Sequence, residues 1–249
     1  MGDTPFQDRA QAPGQSPVHP TVQPPIEGHD PAKLAAMGDH VRAHLTANPA
    51  AEKIDTELAD MFVIERFLTR RDCRDIAATI NRNAQPSTLF AGTGDEKTRT
   101  SWTHHFAAED PLTRSIEQYI SDLVGLDDLH SELMQGQRYS AGQEYRHHHD
   151  YFPVGASYWA GEAARGGQRC WTAMIFLSEP KKGGETDFPK LGQRFTPKAG
   201  RMLVWNNMDR NGMPNAKTLH AAMPVQQGVK HVITKWYRQD PWRLLNLNA

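Results

Sequence analysis

Cysteine is almost absent from this chain. Cys73 and Cys170 are the only two among 249 residues, too few for a disulfide framework, so packing and hydrogen bonds must hold the fold. Both are expected to be small buried side chains in a reducing compartment, which makes the cytoplasm the expected location. Long apolar runs are missing as well. No stretch approaches the roughly 18 consecutive apolar residues of a membrane-spanning helix, so no membrane partner is expected. The first ten residues, Met1 to Ala10, lack the basic-then-apolar pattern of a secretory signal. Nor is there a surplus of charge: Lys+Arg number 28 and Asp+Glu 29, a formal net charge of -1. That balance argues against nucleic acid as a partner. No internal repeat is visible. What remains is 38% hydrophobic, enough for a folded core in one large domain or two small ones. The oligomeric state is left open.

Residues 1–30 are rich in Pro, Gln, Gly and Asp and offer few apolar side chains. Such a segment does not offset its ordering entropy and is expected to be a mobile tail. Residues 31–50 are expected to be an N-terminal helix. Asp30-Pro31 caps it, Leu34, Met37, Val41 and Leu45 recur at spacings of three and four, and Asn48-Pro49 ends it. The main domain is then 51–249. It opens with a strand over 61–68 and a helix begun by Thr69 with Asp72 three residues on, carrying Cys73, Ile76 and Ile80 inward. Residues 85–100 read as a loop. A further helix follows Asp110-Pro111, with Leu112, Ile116, Tyr119, Ile120 and Leu123 on its apolar face and Gly125 as its stop.

Beyond Gly125 the pattern turns to short extended runs at 132–140, 146–152, 169–177, 185–188, 193–196, 201–206, 218–223 and 229–237. Turn signals separate them at Ala141-Gly142, Lys182-Gly183-Gly184, Lys198-Ala199-Gly200 and Gln227-Gly228. Short strands after supporting helices predict a mainly β, α+β domain. Its architecture should be a double-stranded β-helix, the jelly roll.

The chemistry gathers in Arg138 to Phe152. His148 and Asp150 stand two apart, so an extended strand sends both side chains to one face. A further histidine, His220, follows 70 residues after Asp150. Two imidazoles and one carboxylate make the facial triad of non-heme Fe(II) oxygenases, in which three protein ligands leave positions for a 2-oxo acid and dioxygen. The same ligands also suit a zinc hydrolase. His147 and His149 face the other way on a regular strand and read as solvated or packing residues. Lys230, Val232, Thr234 and Trp236 alternate onto one face of the last strand. That face can aim the Lys230 ammonium at an organic acid beside the metal, because a buried ammonium needs an anionic partner. Lys235, on the opposite face, reads as an ordinary exposed lysine.

These residues carry a family resemblance. Tyr139-x-x-Gly142-x-x-Tyr145-x-x-His148-x-Asp150 resembles the signature of prolyl 4-hydroxylase-type Fe(II)/2-oxoglutarate dioxygenases. Arg169-x-x-Thr172, Gly183-Gly184-Glu185-Thr186-Asp187-Phe188-Pro189, Pro197-x-x-Gly200-x-x-Leu203-x-Trp205 and His220-x-x-x-Pro224-Val225-x-x-Gly228-x-Lys230 resemble further blocks of it in order. Arg99-Thr100-Ser101 resembles an element that opens the domain. The resemblance spans roughly 60–240. It implies that His148, Asp150 and His220 bind Fe(II) and that Lys230 pairs with the far carboxylate of 2-oxoglutarate. Tyr139 would contact the same end, Thr186 would assist and Trp236 would line the iron pocket. It further implies dioxygen as co-substrate, ascorbate as a possible aid, and hydroxylation of an unactivated C–H bond. A prolyl residue in a peptide is one expected target; a free amino acid or natural-product intermediate is the alternative. A domain that only senses 2-oxoglutarate is a further reading. Two positions depart from the resembling pattern: Phe176 lies where some relatives carry a tyrosine, and His231 replaces the tryptophan after the co-substrate lysine. The Gly- and Ala-rich segment 154–167 reads as a lid or a connector.

Overall fold

A computed structural model of the chain describes residues 26–88 and 98–247. Most of the expected tail, at 1–25, and much of the expected loop at 85–100 lie outside the described residues. Residues 26–30, assigned to the tail, instead form a bridged turn, Ile26 with His29, leading into the first helix.

Helix α1 (Pro31–Ala47) starts where Asp30 accepts the N–H of Lys33, and it buries Leu34, Val41 and Leu45. Strands β1 (Ala51–Lys53) and β2 (Met61–Ile64) pair antiparallel. The strand expected over 61–68 stops at Ile64. Arg66 adopts a φ of 54°, a left-handed backbone that no strand accommodates. Helix α2 (Arg70–Asn83) carries the reciprocal Thr69–Asp72 capping box and buries Cys73, Ile76 and Ile80. Strands β3 (Gln85–Pro86) and β4 (Trp102–His105) form where the sequence suggested none; both are short. Helix α3 (Pro111–Val124) ends at Gly125, whose φ of 77° gives the left-handed stop. Tyr119, expected on its buried face, is 54% exposed and stacks on Phe67 instead.

Strands β5 (Gln135–Tyr139) and β6 (Tyr145–His148) follow, then a short helix α4 (Trp159–Ala164) within the segment read as a lid or connector. Next come β7 (Arg169–Phe176), β8 (Lys182–Gly183), β9 (Thr186–Phe188), β10 (Gln193–Phe195) and β11 (Met202–Asn206). The chain closes with β12 (His220–Ala222), β13 (Val225–Gln227), β14 (Lys230–Arg238) and helix α5 (Trp242–Asn246).

The large sheet has the order β1-β2-β11-β7-β14-β5-β4-β3, and the small one β10-β9-β12-β6. A minor pair, β13-β8, occupies the expected turn at Lys182-Gly183. Every strand pairing is antiparallel. Two sheets face to face make the expected jelly roll.

Period-two alternation divides the core. On β2, β7, β11 and β14, residues Phe62, Ile64, Ala173, Ile175, Met202, Val204, Ile233 and Tyr237 face the helices. Their neighbours Met61, Val63, Met174, Phe176, Leu203, Trp205 and Val232 face the space between the sheets. These strands are covered on both faces, so they read as nearly unbroken apolar runs.

Lys235 corrects the reading of an exposed lysine. It is fully buried, in ion pairs with Asp128 and Glu117, and Arg243 reaches the same two carboxylates.

Candidate metal and co-substrate site

A cavity of about 880 Å³ lies between the sheets. His148 and His220 come to it from neighbouring strands of the small sheet, where they sit directly opposite in the β6–β12 register. Asp150 arrives differently from expectation. Strand β6 stops at His148 and the chain bends at Asp150, so a regular strand face does not place its carboxylate. The Thr172 hydroxyl of β7 donates to Asp150 Oδ2 at 2.8 Å and holds it. One donor atom from each of His148, Asp150 and His220 lies within 4.8 Å of the others. Asp150 Oδ1 is 3.8 Å from His148 Nε2 and 3.9 Å from His220 Nε2. Among the described residues no other cluster could hold a metal ion.

Each imidazole is turned by its far nitrogen. Nδ1 of His148 lies 2.8 Å from the Arg146 carbonyl, and Nδ1 of His220 lies 3.0 Å from that of Thr218. A carbonyl only accepts, so Nδ1 donates in both rings and Nε2 is the nitrogen turned to the cavity. Burial, reinforced by His220, pushes His148 well below the usual histidine range, which keeps it neutral. Burial alone would raise the Asp150 carboxyl, yet its polar and charged surroundings, the Arg169 guanidinium among them, hold it below its ordinary value. Two imidazoles and one carboxylate are the donor set that suits a non-heme Fe(II) centre. Stacked rings brace them: Tyr145 on His148 at 3.5 Å, and Phe188 on His220 at 5.1 Å.

Lys230 enters from the large sheet. Its whole residue is 1% exposed. Its Nζ donates to Thr186 Oγ1 at 3.2 Å and sits 5.4 Å from the ring centres of both Tyr139 and Phe176. Among the described residues no carboxylate pairs with it, and burial pushes its ammonium down to about 7. An orphaned buried cation of this kind fits an anionic ligand. Tyr139 lies directly opposite Lys230 in the β5–β14 register. Lys230, Val232, Thr234 and Trp236 all line the cavity, as their alternation predicted. Phe176, which departs from the family pattern, packs beside Lys230 without a hydroxyl. His231 faces away, held between Ser178 and Asn81. His147 and His149 sit at the rim, His147 3.6 Å from Asp187 and His149 3.3 Å from the Ala216 carbonyl.

The family described as the 2OG-Fe(II) oxygenase superfamily matches residues 134–238. Prolyl 4-hydroxylase 2 of Arabidopsis thaliana is 31% identical over 219 residues, covering 78% of this chain and 72% of the relative. This chain belongs to the 2OG-Fe(II) oxygenase superfamily. It is a prolyl 4-hydroxylase-type dioxygenase that uses Fe(II), 2-oxoglutarate and dioxygen. A putative prolyl 4-hydroxylase of Acanthamoeba polyphaga mimivirus is 30% identical over 187 residues, with 75% of this chain and 77% of that protein covered. Among solved structures, the dioxygenase resembles a viral collagen prolyl hydroxylase from Paramecium Bursaria Chlorella virus-1 in its 2-oxoglutarate complex. That likeness has a TM-score of 0.57 at 26% identity, covering 72% of this chain and 95% of the other. A Trichoplax adhaerens prolyl hydroxylase shares the fold, with a TM-score of 0.58 at 15% identity, covering 86% and 94%.

Some of the site's residues carried no legible role in the sequence. The carboxylate of Glu132 holds Arg169 in two bonds of 2.5 and 2.7 Å, and the Arg169 guanidinium lies 4.2 Å over Trp236 and 4.7 Å over Phe152. Glu132 precedes its strand with no pattern to mark it. Thr172 stood in the block Arg169-x-x-Thr172 without a role; its position in β7 shares the inward parity of Met174 and Phe176.

Proposed function

We propose that this dioxygenase hydroxylates a prolyl residue within a peptide, with Fe(II) held by His148, Asp150 and His220 and 2-oxoglutarate anchored by Lys230. One observation carries the reading: an open-sided triad on the small sheet and an unpaired buried ammonium on the large sheet face the same cavity. The bound iron, with 2-oxoglutarate and dioxygen, supplies the oxidising power that replaces a C–H hydrogen by hydroxyl. The chain's own tasks are to bind, aim and keep dry. Lys230, with Thr186 and Tyr139, grips the far carboxylate of the co-substrate. His148 and His220 turn Nε2 toward the metal position, their Nδ1 atoms being held by backbone carbonyls. Arg169, fixed by Glu132 and sandwiched by Phe152 and Trp236, presents a rigid donor and an aromatic wall for the substrate.

A peptide suits the cavity's form. It runs out past Gln137, Thr103 and Ser87 to Gln85 and Asn83 beside the edge strand β3, a polar trough that neutral main-chain groups could follow. The curated relatives that this chain matches are called prolyl 4-hydroxylases. A zinc hydrolase would need a free carboxylate as general base. Among the described residues lining the cavity, Asp150 is the single acid, and it belongs to the triad.

Anaerobic Fe(II) with 2-oxoglutarate should give a weak visible charge-transfer band that His148→Ala abolishes. Succinate release should rise with proline-containing peptides and stay at background with free proline. Equal stimulation by free proline would replace the peptide by a small molecule, and activity with zinc alone would sink the oxygenase reading.

A further inference from the structure

The contacts behind Asp150 form a chain of fixed direction. Thr172 Oγ1 lies 2.8 Å from Asp150 Oδ2, and Asn207 Nδ2 lies 2.9 Å from Thr172 Oγ1. Both Thr172 and Asn207 are 0% exposed. A hydroxyl has one proton to give, and an ionised carboxylate only accepts. Thr172 must therefore donate to Asp150 and accept from Asn207, which settles which end of the Asn207 amide is which. The other end, Asn207 Oδ1, is buried with no hydrogen-bond partner among the described residues. Burying an amide half-satisfied is costly, more so than a filler side chain would be. The backbone around Asn207 is tied to Cys170 and Asn215 at 2.7 and 2.9 Å, so the amide has little freedom to turn away.

The chain has a clear consequence for the carboxylate. Thr172 occupies Oδ2, and Oδ1 is the oxygen that faces both Nε2 atoms. We propose that Asn207 and Thr172 are positioning residues that present a single oxygen of Asp150 to the metal. This rests on the reading of His148, Asp150 and His220 as the metal site. A carboxylate free to turn could offer both oxygens and take a coordination position needed by the 2-oxo acid or dioxygen. The device is a strand-borne hydroxyl on the large sheet acting on a ligand that lies beyond the end of its own strand.

Thr172→Val keeps the β-branched shape and removes the hydroxyl; Thr172→Ser returns it. Mn(II) affinity measured calorimetrically without turnover should fall about 10- to 100-fold in the valine variant, the usual scale for losing a partner behind a ligand. The serine variant should recover most of it. The anaerobic Fe(II)/2-oxoglutarate band should shift in the valine variant and return with serine. Asn207→Ala should weaken Mn(II) binding less, and the double variant should be no weaker than Thr172→Val alone. A merely structural role would lower the melting temperature of the metal-free protein and leave metal affinity untouched; that result overturns the proposal. Should the valine variant not fold, Asn207→Ala probes the same chain from its outer end, and unchanged Mn(II) affinity there overturns it equally. Wild-type protein that takes up no divalent metal would overturn the triad reading itself, and this inference with it.

Discussion

Lys230 shows how one side chain links burial, pH and ligand. Its ammonium titrates near 7 in the fold, against about 10.4 in an unfolded chain. Between those values the unfolded state holds the proton that the folded state releases. Stability of the metal-free protein should therefore climb with pH across that window, and Lys230→Met should flatten the climb. A 2-oxo acid bound at Lys230, as proposed, would reverse the preference, since a carboxylate favours the charged ammonium. Calorimetric titration of 2-oxoglutarate into Mn(II)-loaded protein should show affinity highest at or below about pH 7, falling up to tenfold per unit above it. Lys230→Met should weaken that binding about 100-fold, from roughly 3 kcal/mol lost with a buried charge partner. A pH-independent affinity would remove the lysine from the site.

The donors of the site were legible because each has a distinctive chemistry at a fixed position in a local pattern. His148 and Asp150 stand two apart, and Lys230 heads an alternating strand. What supports them was not. Asn207 reaches Thr172 across 35 positions in sequence, and Glu132 reaches Arg169 across 37. No local pattern encodes such pairs.

At the scale of elements, the same contrast recurs. The helices were legible from their ends: Asp30-Pro31, Thr69 with Asp72, and Asp110-Pro111 with Gly125 carry caps in a few neighbouring residues. Strands β3, β8 and β13 are two or three residues long and exist only because a distant partner pairs with them. Lys235 was misread for the same reason, since Asp128 lies 107 residues away. Lys235→Met should leave excess buried carboxylate and cost about 3 kcal/mol, or roughly 6–12 °C in melting temperature for a chain of this size. Lys235 and Arg243 outweigh burial and hold the Asp128 carboxyl below its usual range. Its stabilisation is therefore present above the ordinary carboxylate value and fades as pH falls through the lower folded one. Scans at pH 7 and pH 3 should show the variant's deficit shrinking with acid; an equal deficit at both would contradict the ion-pair account. The turn before β11 offers a second test. Gly200 has a φ of 84°, and a Cβ there would lie 2.3 Å from the Leu68 carbonyl oxygen. Gly200→Ala should cost about 2–4 kcal/mol through left-handed strain and that overlap. Thermal melting would detect it, and a change below about 0.5 kcal/mol would show that the turn relaxes freely.

Across the whole molecule, the two sheets differ in build. The large one is packed on both faces by α1, α2 and α3 and by the inter-sheet core. The small one has strands of three or four residues and carries both histidines. Lys230 bonding Thr186 and Thr172 bonding Asp150 are polar links between the large sheet and the small-sheet side of the cavity. Ion and 2-oxo acid would thus act as a clasp, gripped by histidines from one half and by lysine from the other. Deuterium uptake should then slow selectively in β6, β9 and β12 when Mn(II) and 2-oxoglutarate are added together, while β7 and β11 keep their rates. In that arrangement short strands surround the oxidising centre, and the fuel for its chemistry would itself tie them to the broader half of the fold.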